Sequence, residues 1–503
     1  LAAPVSVAVG APSVALPSVS TALGVSFSAT EWIISVWSLG AAVAMPLGGR
    51  LAQRWGLRAT LGLSVAATAA GSIIAAAAPI LPVVVAGRLL GGLGAGGMII
   101  CVYACIDQTQ DRRGRVTALA AVAVCQATAS GSGSLIGGLL TASLGWRAPM
   151  AVPALALLVL LPALRLTPGD ANRHQRLDVT GAVLLSVLAA ATITLLHSAS
   201  AELAPPVLLV MAGVAICAAA ALVHHVRRHP RGFVPRRVVT APGLLSGAVA
   251  GLTLFAGYYG VLSTAPELLA RQHVSPLQTG LLLLPAALCG VLTGPALAAL
   301  WRRRQPLWQT TALLGMLTAT AALLAGWRPL PLTVAIGVAL ATIGFAAAQV
   351  ILVGRVRDLV APGDRPAAAG LFNFMLYGGS SIGPALAGGL SAVSMPLALS
   401  AVAAVAMAGT VVSVITRLRT SAGAPGKSWA KGSPTFAETR CPTQKWSAWH
   451  RRRRLPRRGF GSCWQEDVTA VLPSGTFPHE APRAKPMVRD GSRPMKRRIW
   501  RSL

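Results

Sequence analysis

Charge is what this chain has least of. Only 12% of its 503 residues are Asp, Glu, Lys or Arg, against about a quarter in soluble domains. With 54% hydrophobic residues and a mean hydropathy of +0.63, it carries more apolar surface than one aqueous core can hide. Lipid is the solvent such a chain calls for. Lysine is absent from the first 420 residues, and carboxylates there number nine. Nothing suggests catalysis: His197 and the pair His224 and His225 lie near the ends of apolar runs with no partner constellation. The phosphate-binding pattern G-x-x-x-x-G-K-[ST] is missing, so ATP-driven pumping within this chain is unsupported. Cysteines number seven; Cys101, Cys105, Cys125, Cys217 and Cys289 lie in apolar runs, and Cys441 and Cys463 near the C-terminus. Only Cys101 and Cys105 are close, and no second pair completes a metal site. They read as small buried hydrophobes rather than as ligands or disulfides.

What is present is a series of fourteen apolar runs, each of about twenty residues, the length that crosses a bilayer core at about 1.5 Å per residue. They cover 2–22, 32–52, 60–79, 82–104, 116–142, 147–164, 178–197, 204–224, 243–266, 277–300, 308–326, 331–353, 367–390 and 393–416. The first, with Pro4, Pro12 and Pro17, is the least helix-like, and the sixth is the shortest, with Pro149, Pro153 and Pro162. Prolines are tolerated in membrane helices where neighbours satisfy the freed carbonyls. Arginine tests the division. Connections after even-numbered runs carry 20 arginines, and the intervening ones carry three, Arg147, Arg271 and Arg328. Basic residues collect on the cytoplasmic side, so both termini are expected inside a plasma membrane crossed many times.

The tail from about residue 420 differs abruptly. All five lysines are there, with the run Arg451–Arg454, five tryptophans and no apolar periodicity. It reads as a disordered cytoplasmic tail whose basic runs lie near anionic lipid. Nucleic-acid binding is not expected, since no fold presents the aromatics. A frame-shifted ending is a third reading, which the other reading frames of the gene would test. The expected organisation is 1–165, a six-helix bundle; 166–240, a central two-helix insertion; 241–419, a second six-helix bundle; and 420–503, the tail.

Four stretches resemble the major facilitator superfamily, in its fourteen-span drug:proton antiporter branch. The first is Gly49-Arg50-Leu51-Ala52-Gln53-Arg54-Trp55-Gly56-Leu57-Arg58, similar to G-x-L-x-D-R-x-G-R-R, with Gln53 and Leu57 as departures. The second, Arg88-Leu89-Leu90-Gly91-Gly92-Leu93-Gly94-Ala95-Gly96-Gly97, is similar to R-x-x-Q-G-x-G-x-G. A charged residue inside a span is a functional candidate by default; the alternative for Arg88 is snorkelling to the interface. The third, Gly133-Ser134-Leu135-Ile136-Gly137-Gly138, followed by Gly145-Trp146-Arg147, is similar to the exporter pattern G-P-x-x-G-G with Ser134 for its proline. The fourth, Ser275-Pro276-Leu277-Gln278-Thr279-Gly280, matches S-P-L-Q-x-G, an order with no generic membrane reason. Two fainter likenesses are Asp178 with Gly181, where a helix cap is the alternative reading of the Asp, and Asn373 with the glycine–serine run at 378–384.

The resemblance implies an all-α integral membrane protein of the major facilitator fold, two six-helix bundles plus a central helix pair. It also implies alternating access, a proton gradient rather than a cofactor as energy source, and a small-molecule substrate as partner beside the lipid bilayer, with a monomer expected. In the branch a span 1 acid takes part in coupling; its position here is Ala8, and Ser13 replaces a nearby Asn. The candidates for proton coupling and gating are therefore Arg88, Asp107, Glu31 and Glu267, the three acids reading as solvated carboxylates at span ends. Trp37, Gln126, Tyr258, Tyr259, Gln349, Asn373 and Tyr377 are the polar or aromatic residues within spans that could line a substrate cavity, or equally bond between helices. The leading expectation is a bacterial exporter of a drug, antibiotic or other hydrophobic metabolite. A uniporter or importer of another substrate class stays open, as does a transport-dead sensor or binding protein.

Overall fold

The computed structural model describes residues 2–107, 112–167, 178–198, 204–229, 236–241, 243–300, 307–327, 330–356, 359–360 and 365–422. The tail from 423, Cys441 and Cys463, much of the arginine-bearing connections and the Asp107 side chain lie outside the described residues.

Among the described residues every regular element is helical. In chain order these are α1 (Ala2–Leu23), α2 (Phe27–Thr30), α3 (Trp32–Trp55), α4 (Leu57–Ala77), α5 (Leu81–Asp107), α6 (Arg112–Leu144), α7 (Arg147–Ala151), a 3-10 segment (Val152–Val159) and α8 (Leu160–Leu166). Then come α9 (Val179–Leu196), α10 (Pro205–Arg228), α11 (Arg236–Val239), α12 (Leu244–Ala270), α13 (Pro276–Leu282), α14 (Leu284–Leu300), α15 (Leu307–Trp327), α16 (Pro331–Val356), α17 (Arg365–Ser391) and α18 (Met395–Ala422). Each apolar run lies on one helix or on consecutive pieces of one. Ten segments are long and apolar enough to cross a bilayer and three are shorter apolar helices; the remaining one, α17, has 27 residues.

Proline explains the breaks. The sixth run divides into α7, the 3-10 segment and α8 because each of its prolines withdraws a helix donor. Span 1, by contrast, stays one helix with Pro12 and Pro17 inside it. The second run starts earlier than its hydropathy suggests: α2, capped by Ser26, leads straight into α3 and brings Glu31 within the packed structure.

Large apolar side chains face outward around the bundle, including Leu158, Leu209, Ile216 and Leu292. Such a surface needs lipid. Cys125 and Cys217 share it, contrary to the buried reading, while Cys101 is buried.

Lipid-exposed helices gain little from hydrophobic burial against each other, so close packing must hold them. The glycines of α5 provide it. Gly92 and Gly96 lie on the carbonyls of Trp37 and Ala41 in α3, and Gly94 on Ser64 and Thr68 in α4. Gly133 and Gly137 seat α6 on Gly10 and Ala11 of α1; Gly379 and Gly383 seat α17 on Leu252 and Ala256 of α12. The first six and last six spans thus use the same device on corresponding helices, as internal repeats would. They meet along a seam where α3 packs on α17, α6 on α13 and α14, and α1 on α12; α9 leans on α3 and α17, with α10 beside it.

Gly71→Ala should be destabilising, because its new methyl group would overlap the Gly91 nitrogen and Gly87 oxygen. A loss of about 1–3 kcal/mol is expected from such overpacking, read as earlier thermal unfolding in detergent. Gly213→Ala, which meets nothing within 4 Å, should leave unfolding unchanged.

Candidate functional site

Pro12 lies four residues after Ala8 in α1 and has no N–H to give the Ala8 carbonyl. Arg88 supplies the missing donor. Its Nη2 donates to the Ala8 oxygen at 2.6 Å and its Nε to the Ile33 oxygen at 3.2 Å. The guanidinium lies over the Trp37 ring, 4.1 Å from its centroid. The side chain is 0% exposed, which excludes snorkelling, and Nη1 has no hydrogen-bond partner. Ala8 is where the resemblance places an acid. The arginine therefore reaches that position and finds a backbone oxygen in place of a carboxylate.

Glu31 departs from the expectation of a solvated mouth residue. It sits at the joint of α2 and α3, is 0% exposed, and neither carboxyl oxygen has a hydrogen-bond partner. The cause is the seam. Gly388 of α17 packs so closely that a Cβ there would stand 2.6 Å from the Glu31 Cβ, and Ser263 and Glu267 of α12 face it. Glu267 itself accepts from Arg271 Nε, one turn on, at 2.9 Å.

One turn below Glu31, three parts of the chain meet. Ser381 Oγ of α17 donates to the Ser35 carbonyl of α3 at 2.6 Å. His197, at the end of α9, places Nε2 2.9 Å from Ser35 Oγ and stacks on Trp32 at 4.3 Å. His197 is 0% exposed. The histidines are thus not partnerless: His225 Nε2 lies 2.9 Å from Asp178, joining α10 to α9. Asp178 also caps α9, accepting from Gly181 N at 3.0 Å.

The third and fourth sequence patterns interlock across the seam. A Cβ on Gly280 would lie 2.8 Å from the Ser134 oxygen and 3.0 Å from Leu135 Cα, and Gly138 lies on the Pro276 carbonyl. The S-P-L-Q order has a local reason after all. Ser275 Oγ accepts from Gln278 N at 3.3 Å, Gln278 Oε1 accepts from Ser275 N at 3.0 Å, and Pro276 occupies the first helical position. This capping box starts α13 where Gly280 can meet α6. In the first pattern, Gly56 turns α3 into α4 at φ +86°. Arg54 and Arg58 are exposed, Arg50 is half-buried, and Gly49 meets only Ile100.

Tyr258 and Tyr259 join Phe255, Phe345 and Tyr377 in an aromatic cluster shared by α12, α16 and α17. Tyr258 stacks on Phe345 at 4.3 Å, with Tyr259 edge-on to the same ring at 5.6 Å. Phe345, alone in its apolar run, carried no sequence signal. Asn373 is buried and donates to its own helix at Ala369 O, 2.9 Å. Gln126 and Gln349 are half-buried on α6 and α16, and Trp37 belongs with Arg88. Two apolar crevices are present. One, between α12 and α17, includes Leu244 and Phe372; the other, between α3, α9 and α17, includes Leu39, Leu185 and Gly378. Neither is lined by the residues expected in a substrate cavity.

Paired glycine-sealed helical groups, a seam with a buried cation and a buried acid, and an apolar exterior define a multi-span membrane protein. The chain belongs to the Major Facilitator Superfamily, whose sequence profile matches residues 2–327 and 248–473. It is 30% identical over 403 residues to puromycin resistance protein pur8 of Streptomyces alboniger, covering 74% of this chain and 76% of that one. It is 30% identical over 404 residues to the cephamycin export protein CmcT of Amycolatopsis lactamdurans, covering 74% and 79%. Among solved structures, the human organic anion transporter MFSD10 shares the fold at TM-score 0.54 and 18% identity, over 82% of this chain and 98% of that one. A peptide transporter, POT, does so at TM-score 0.61 and 14% identity, over 84% and 92%.

A double-mutant cycle tests the Arg88 contact. Arg88→Met leaves the Ala8 carbonyl without a donor and should cost about 1–3 kcal/mol. Pro12→Ala restores an N–H four residues on, so the double variant should unfold later in a thermal melt than the summed single losses require. Strictly additive losses would show that Arg88 does not serve this carbonyl.

Proposed function

We propose that this transporter exports a small hydrophobic drug or antibiotic across a bacterial plasma membrane, by alternating access and in exchange for protons. The observation that carries the reading is the three-quarter-length similarity to proteins named for puromycin resistance and cephamycin export. Two features support it. The arginine-rich connections assign the cytoplasmic side, so the packed end at Glu31–Gly388 and Gly138–Gly280 is the external one. Among the described residues that end is sealed by small residues and short polar contacts, with no ion pair across the seam, a closure that can be parted. The aromatic cluster of α12, α16 and α17 offers stacking surface to an apolar compound. One observation favours a second reading, a binding protein without flux: Ala8 stands in the acid's place, and Arg88 has no ion pair among the described residues.

Uptake of puromycin and of Hoechst 33342 into inverted membrane vesicles, with and without a protonophore, separates these readings. Uptake that the protonophore abolishes is expected. Uptake that survives collapse of the gradient would reject proton exchange, and saturable binding with no uptake would favour the second reading.

A further inference from the structure

The Glu31 carboxyl is buried against Ser263, Glu267 and Gly388, with no cation paired to it among the described residues. It is 0% exposed, both oxygens are unpartnered, and it is in no ion pair among the described residues. A carboxylate charge left in such a place is costly, and ionisable groups inside membrane segments mark ion or proton pathways. Its position gives the cost a mechanical meaning. Glu31 belongs to α3, while Gly388, against its Cβ, belongs to α17, and Ser263 and Glu267, which face it, belong to α12. The burial exists only while the arginine-poor end of the seam is shut.

The charged and titratable neighbours leave Glu31 alone in this role. On α12, Glu267 is engaged with Arg271 at 2.9 Å. On α9, His197 is held by Ser35. On α5, Arg88 is turned to the carbonyls of Ile33 and Ala8. From α17 the packed residues are Gly388 and Ser381, and α1 has no titratable side chain.

We propose that Glu31 is the proton-binding group of the arginine-poor end, and that this end closes only after a proton has been loaded onto it. Parting α3 from α12 and α17 lets water reach the carboxyl, which gives its proton to water and becomes a carboxylate. The carboxylate resists reburial until a proton returns to the same oxygen and Gly388 can seat again. This rests on the proton-exchange reading above and names the residue at which that exchange meets the seam.

The test needs no drug. Spin labels on Leu144→Cys and Val393→Cys, both 70% exposed and both at the arginine-poor end, report the opening of the seam in lipid nanodiscs. The background is the full chain with its native cysteines replaced. Acidification should shift the wild-type population toward the short distance, the open-to-closed ratio changing by up to about tenfold per pH unit where one proton is exchanged. Glu31→Gln should hold the short distance at every pH, and Glu31→Asp should restore a pH response. A wild type indifferent to pH, or a Glu31→Gln variant that follows the wild-type response, overturns the proposal. If Glu31→Gln shows neither wild-type population, Glu31→Asp decides: a pH response supports the proposal and a flat one overturns it. Protonophore-sensitive drug uptake with no pH response rejects Glu31 alone; a Glu31-dependent pH response without drug uptake rejects the export reading alone.

Discussion

A backbone carbonyl inside a bilayer has no water to turn to, so each one that loses its helical partner must be met by another part of the protein. Pro12 creates such a carbonyl at Ala8, and Arg88 meets it. Because the same guanidinium also donates to Ile33 and covers Trp37, one side chain joins α1, α3 and α5. A guanidinium is suited to this, with planar donors aimed in several directions and a face that stacks on indole. The glycines around it on α5 follow from the same constraint. Gly92 and Gly96 bring α3 against α5 on the same helix from which Arg88 reaches the Ile33 carbonyl.

The seam obeys a different economy. No ion pair crosses it among the described residues; the pairs present stay within α12 or within α9 and α10. Contact is made by glycines on carbonyls, by the Ser381–Ser35 hydrogen bond and by His197 against Ser35. Each is individually weak, and each is lost whole when two helices part by a few ångströms. The helix pair α9 and α10 is engaged at this seam through Leu196 and His197, and is more than a spacer in the chain.

Much of this was legible in the residues. The apolar runs and the glycine patterns each rest on a short-range rule, apolar length or small-residue spacing, which the fold does not override. Asp178 as a helix cap was visible for the same reason. The capping box of Ser275 and Gln278 was equally local, but it went unread because its order looked specific to a family rather than to a helix start. Glu31 was misread because its exposure depends on Gly388, which lies more than three hundred residues away. Phe345 and His197 were unreadable for the same cause: their partners come from other helices.

The residues alone already say that the chain lives in lipid, and which positions are small enough for helices to touch. Composition, run length and residue size decide those things before any helix meets another. Only the tertiary structure decided which polar groups lost their water. Arg88 gained carbonyls and an indole, His197 gained a serine, and Glu31 gained no cation among the described residues. Burial and pairing belong to the space between helices, and that space is set by packing across the seam.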